Sequence, residues 1–400
     1  MPHSHRFSVR FVSFFLILLL SIFLNLLSWN STAFSDFYVD HLFPVFTAPL
    51  AHFSALLPFS FGEVMLVLAV IWLAVFAADL LYLLQARIRR KTAPRPFRKV
   101  PAATAWLVNL VFLVMTLNCV ILYHVTPLEE SLPGYGKTYS VEELAQLRDV
   151  VVENCNRLSA SVPRGENQTV LYEGGEAAMA KTARLAIENE ACADLSSSPA
   201  VSSASSQKKA PFRRLLGWST TPKGLSSSYF ISQQYMQGYY FPFAMEATYN
   251  TVMDIMNKPF TMCHELSHTH GFIYEDEANL IGFLACIHSD DPIFQYSGWL
   301  GVLNYVDNAF YANVSREEYL AHPAVLQTVR TDNEFLTDAA WEEVNQHAVL
   351  DTETVKAAAD TYLDTTLKAN GISSGKASYE HVVGLLLEYF DGNFPDSVVG

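Results

Sequence analysis

The sequence predicts a mainly α protein: three N-terminal transmembrane helices followed by an α+β outer domain with a small sheet. Three observations predict it. Half of the 400 residues are hydrophobic and only 16% are charged, which is too apolar for an ordinary soluble chain. The apolar residues gather in three runs of about 20 residues, 11–29, 64–84 and 103–123, each long enough to cross a ~30 Å hydrocarbon core. Beyond residue 125, apolar positions recur mostly at helical spacing, with one aromatic-rich stretch between them.

The first run is longer than the apolar region of a secretory signal. The residues after it, Asn30-Ser31-Thr32-Ala33-Phe34, make a poor cleavage site, so an uncleaved anchor is expected. Residues 42–61 are apolar but interrupted by Pro44, Pro49 and Pro58, and are expected as an interfacial hairpin or short outer helices. The second run holds a single carboxylate, Asp79, expected near the end of its span within reach of the headgroups. Arg6 and Arg10 precede the first span, and Arg87, Arg89, Arg90, Lys91, Arg95, Arg98 and Lys99 crowd the loop between the second and third. The loop between the first two has no Lys or Arg. By the positive-inside rule the N-terminus and the basic loop are cytoplasmic, and a domain spanning 126–400 lies outside, after an anchor of residues 1–125.

Nine of the 26 Lys and Arg, but only four of the 40 Asp and Glu, precede residue 126. The outer part therefore carries a net charge of about −19, which argues against nucleic acid as a partner. Of the five cysteines, Cys119 falls in the third span. Cys155 and Cys192 lie on separate helical segments, and a disulfide between them is open in an oxidising compartment.

In the outer part, Ser140 followed by Val141-Glu142-Glu143 has the form of an N-cap and an acidic first turn, opening a helix to about residue 158. A second helical pattern covers 175–193, and the Ser/Ala-rich stretch 195–206 reads as a surface loop. Residues 229–243 are rich in aromatics and suit a strand ending near Pro242, at a sheet edge because proline cannot donate to a ladder. Helices are expected at 259–271, 275–287, 299–311 and 316–320, and onward to about residue 390. The sequence has no internal repeat.

The chemistry is carried by His264-Glu265-Leu266-Ser267-His268. On a helix, positions i and i+4 share a face, so both imidazoles reach one ion at ~2.0–2.1 Å. Glu265 can then serve as general base toward the metal's water. At this chain's His and Glu content the five-residue pattern arises by chance in roughly one such chain in fifty, so context decides. Gly271 ends the helix, and Glu275-Asp276-Glu277-Ala278-Asn279 opens the next, returning a carboxylate to the metal. Two His and one Glu with an open fourth position is a catalytic zinc set. Glu275 is the expected ligand, with Glu277 as the alternative. Asn279 lies one turn from Glu275, where its side-chain oxygen can accept from a ligating histidine N–H. His270 faces away from the His264/His268 stripe, and Cys263 reads as a small buried hydrophobe.

The His-Glu-x-x-His motif followed by Glu-x-x-x-Asn resembles the gluzincin metallopeptidases, among them thermolysin-like enzymes, CAAX prenyl proteases and BlaR-type sensor peptidases. In those families the Glu opening the second motif is the third zinc ligand, which implies that role for Glu275; the spacing from His268 to Glu275 is shorter than in thermolysin-like enzymes. The whole chain resembles an uncharacterised bacterial family of three-span membrane proteins with a metallopeptidase-like outer domain. Its marks here are Leu57-Pro58-Phe59-Ser60-Phe61-Gly62-Glu63, Gly238-Tyr239-Tyr240-Phe241-Pro242-Phe243, Glu246-Ala247, the two zinc motifs and Ser378-Tyr379. The resemblance implies a zincin-like outer domain on a bacterial cytoplasmic membrane. It also implies a strand at 239–243, beside the motif helix, that holds extended peptide by strand addition, although ordinary aromatic core explains those residues equally well. Tyr296, Tyr305 and Tyr311 follow the zinc motifs, and Tyr305 is the candidate for oxyanion stabilisation.

The expected function is a membrane-anchored metallopeptidase using Zn2+, with the lipid bilayer and a peptide or protein substrate as partners. The alternatives are a signal-responsive sensor carrying the same zinc site and a non-peptidase zinc hydrolase of cell-envelope material. Substrate specificity and oligomeric state are not encoded in any motif.

Overall fold

In the computed structural model, residues 9–89, 99–197, 212–215, 220–369 and 378–394 are described. The N-terminal part comprises α1 (Val9–Asn30), α2 (Thr32–Phe37), α3 (Phe43–Ala55), α4 (Phe61–Ile88) and α5 (Val100–Met115). Three helical runs, Val9–Asn30, Phe61–Ile88 and Val100–His124, are long and apolar enough to cross a membrane. The third continues past α5 through a π-turn at Thr116–Val120 and a short 3-10 turn at Leu122–His124. Because α4 runs on to Ile88, Asp79 sits about two and a half turns inside the end of that helix, and its side chain is buried.

Residues 42–61 do form short helices rather than a span. Along α3, Phe43, Thr47, Ala51 and Ser54 are buried, while Val45, Phe46, Phe53 and, just beyond the helix, Leu56 are exposed. The buried positions recur at helical spacing, so α3 presents one face to the protein and an apolar face outward. Its inner face joins a cluster in which Tyr38, Val39, Phe43 and Ala51 pack with Ile121, Leu122 and Val125 of the third run and with Met245 and Ile273. Residues on both sides of position 125 thus share one small core.

The rest of the chain is mainly helical: α6 (Val141–Ser159), α7 (Gly175–Ser197), α8 (Ser228–Gln233), α9 (Lys258–Thr269), α10 (Glu275–Ile287), α11 (Pro292–Asn313), α12 (Arg316–Ala321), α13 (Gln327–Asp332), α14 (Asp338–His347), α15 (Thr352–Ala369) and α16 (Ser378–Phe390). Ser140 and Glu143 close a capping box on α6. Helix α7 runs four residues past its expected end, and the remainder of the expected loop, 198–206, lies outside the described residues. Helix α11 begins seven residues before its expected start, because Asp291 accepts from the Ile293 and Phe294 amides and Pro292 suits the first turn. Much of the expected 229–243 strand is the short helix α8.

Three strands, β1 (Lys223–Gly224), β2 (Gly238–Phe241) and β3 (Glu246–Tyr249), form a mixed sheet in the order β1-β3-β2. β1 is parallel to β3, and β2 pairs antiparallel with it from Gly238 opposite Tyr249 to Phe241 opposite Glu246. β2 is therefore an edge strand that ends at Pro242. Helix α9 is almost wholly buried, packed against α7, α10, α11 and the sheet. Cys155 is a buried free thiol, and the Cys192 side chain lies outside the described residues.

Candidate metal centre

Helix α9 carries Pro259 in its first turn, where the missing N–H costs nothing, and stops at Gly271. There φ is +91°, and a Cβ would lie 2.7 Å from Val39 Cγ2, so both backbone and packing demand glycine. The chain turns back through Phe272–Tyr274 and re-enters helix at Glu275. His264 and His268 share a face of α9, with their Nε2 atoms 3.1 Å apart. Glu275 Oε2 lies 3.1 Å from His264 Nε2, and Oε1 lies 3.7 Å from His268 Nε2. One donor atom from each of the three falls within 4.8 Å of the others.

The far side of each imidazole is occupied. His264 Nδ1 is 2.9 Å from Asn279 Oδ1, and His268 Nδ1 is 2.7 Å from the Phe272 carbonyl oxygen. Both partners are acceptors, so each Nδ1 carries the proton and each Nε2 offers a lone pair. With both rings neutral, two lone pairs pointed at each other across 3.1 Å repel unless a proton or a metal cation lies between them. A tetrahedral ion at 2.0–2.1 Å separates its ligand atoms by about 3.3 Å, close to the spacings found. The donor set therefore fits zinc. The electrostatics agree. Burial opposes a charge on His268, but Glu275 overrides it and raises that histidine to about 9. Burial would raise the Glu275 carboxyl, yet the two histidines hold it well below the usual range. The field at this point selects for positive charge.

Of the other two acids, Glu277 is turned away: its Oε1 accepts from the Leu128 amide at 2.6 Å, and burial pushes it up to about 7. Asp276 accepts from the Glu277 amide. Glu265 lies beside the histidines with its Oε2 buried and unpartnered. Burial raises it to about 7, offset by His264 and His268 and reinforced by Glu275. Gly238 of β2 presses on it, since a Cβ there would stand 3.1 Å from Glu265 Oε1 and 2.3 Å from the Thr248 carbonyl oxygen. His270 is buried elsewhere with its Nδ1 on the Arg214 carbonyl oxygen, and Cys263 is buried with its Sγ on the Ala183 carbonyl oxygen.

The three expected metal ligands and Glu265 line a cleft of about 660 Å³. Its walls come from Gly238, Tyr239 and Tyr240 of β2, from Ser297, Leu300, Gly301, Asn304 and Tyr305 of α11, and from Cys119 and Tyr123 of the third apolar run. Tyr305 reaches the cleft. Tyr296 does not, being buried with its hydroxyl on Asp332, nor does Tyr311, which packs on Tyr319 at the surface. Cys119, Tyr123 and the Asn333–Asn304 amide pair went unpredicted, because tertiary packing alone gathers them and no local period marks them.

Residues 38–387 match a family described as "Protein of unknown function (DUF3810)". No curated protein and no solved structure matches the chain.

Proposed function

Since the chain belongs to this family of unknown function, only the site itself bears on activity, and from it we propose a membrane-anchored, zinc-dependent peptidase. The observation that carries the reading is the meeting of the His264 and His268 lone pairs with the Glu275 carboxylate beside the unpartnered Glu265. The likeness to gluzincins in the two motifs, and with it a zincin-like fold, supports the same reading. So does the edge strand β2, whose outer main chain has no sheet partner among the described residues and can take up an extended peptide.

The chemistry zinc supplies in such a site is polarisation of the scissile carbonyl and activation of a water. Glu265 accepts the water's proton, a task its burial-raised affinity suits near neutral pH, and delivers it to the leaving amine. Asn279 and the Phe272 carbonyl oxygen hold the two imidazoles in the required tautomer. Tyr305 is the side chain proposed to face the developing oxyanion. The charge asymmetry of the loops supports a cytoplasmic N-terminus, with the metal centre on the opposite side of the membrane.

Metal analysis of the detergent-purified protein tests this. About one zinc per chain is expected in the wild type and in Glu265→Gln, and none in His264→Ala. Peptide cleavage should fall 10²–10⁴-fold in Glu265→Gln. A wild type that takes up no zinc after reconstitution overturns the proposal.

A further inference from the structure

The cleft is built partly from the membrane anchor. Cys119 and Tyr123, at the top of the third apolar run, line the same cavity as His264, Glu265 and Glu275. The metal helix ends directly on the inter-span segment, with Gly271 against Val39 and Phe43. The junction is fixed by long-range hydrogen bonds. Asn118 Nδ2 donates to the Pro242 carbonyl oxygen at 2.7 Å, and the Tyr274 hydroxyl to the Tyr123 carbonyl oxygen at 2.6 Å. The outward face of α3, with Val45, Phe46 and Phe53 exposed, is the kind of apolar surface that settles into the headgroup boundary.

The cleft therefore stays within about one helix diameter, roughly 10–12 Å, of the membrane-facing segment. An extended chain advances about 3.3 Å per residue, so a polypeptide leaving the bilayer reaches the metal centre within roughly four residues. Among the described residues lining the cleft there is no Lys or Arg to hold a terminal carboxylate. A chain that passes through, anchored at one end, meets no charge penalty for lacking one. Resting on the peptidase reading, we infer that the substrate is a polypeptide tethered to the same bilayer, cut within a few residues of the membrane surface. Confinement to that surface supplies the effective concentration that a cleft with no Lys or Arg to grip a substrate terminus does not.

The test uses the full-length protein in liposomes with a randomised 12-residue peptide library, offered either bearing a terminal dipalmitoyl anchor or without it. The anchored library should be cleaved at least about tenfold faster, with new termini, read by mass spectrometry, within about five residues of the anchor. A metal-independent arm replaces Tyr123 with benzoylphenylalanine. Zinc-free protein should photo-crosslink the anchored library and not the free one. Equal cleavage and equal crosslinking of both libraries overturn the tethered-substrate inference while leaving the peptidase reading intact. Cleavage of neither by zinc-loaded protein, or release of the acyl chains without new peptide termini, removes the peptidase reading and this inference with it.

Discussion

Asn279 decides how His264 is presented. Its Oδ1 lies 2.9 Å from His264 Nδ1, so Asn279→Ala frees the ring to turn and to change tautomer. At the proposed site, zinc affinity should fall about 10- to 100-fold by chelator competition, whereas Glu277→Gln, whose side chain faces Leu128, should leave it unchanged. Gly238 acts from the opposite side. A Cβ there meets both the Thr248 carbonyl oxygen and Glu265, so Gly238→Ala should cost about 1–3 kcal/mol of stability by overpacking, read from thermal melting. At this scale the sequence was most informative where geometry is local. His264 and His268 share a face because four residues separate them, and Gly271 announced the turn that returns Glu275. Gly238 gave no such sign, since its role comes from a strand laid across α9.

Among elements, the junction of α4 with the sheet governs the most. The Glu246 carboxylate accepts from Ser54 Oγ, Ser60 Oγ and the Phe61 and Gly62 amides, and pairs with Lys223 Nζ at 2.6 Å. The first turn of α4 thus binds an anion as helix N-termini do. Beside it, Glu63 accepts from the Ser226 and Ser227 amides. Burial would raise Glu246, but Lys223, Ser54 and the two amides outweigh it and hold it below the ordinary value. A lowered folded-state pKa contributes stability that is present above the unfolded value and is lost as pH falls through the folded one. Melting in detergent should therefore hold near neutrality and decline in the acid range below about pH 4.5. Glu246→Gln should lose about 3–5 kcal/mol at pH 7 and show a smaller acid decline; an unchanged melting curve would remove the junction's importance. Element boundaries were legible where a cap stood alone, as at Ser140. They were missed where Asp291-Pro292 opened α11 ahead of its apolar period. The 229–243 stretch split into α8 and β2 because aromatic content marks burial, not backbone conformation.

For the whole molecule, hydropathy alone marked three apolar runs, and each lies in a helical run long and apolar enough to cross a membrane. What it left unseen is that residues 38–62 join these runs to the rest of the chain. Tyr38, Val39, Phe43 and Ala51 are buried against Met245 and Ile273, contacts that no local pattern encodes. Residues 126–400 expressed alone should consequently aggregate or be digested rapidly in limited proteolysis, and a monodisperse, protease-resistant product would contradict the shared core. The Glu246 junction also imposes an order on synthesis. Ser54 and Glu246 are 192 residues apart, and chains grow at about 5–20 residues per second. For roughly 10 to 40 s the first turn of α4 waits at the membrane with its amides on water, until the ribosome delivers its anion. Closing residues 126–400 onto the apolar helices is thus the late event in biogenesis, and the cleft that holds His264, His268 and Glu275, walled partly by the third run, is completed only then.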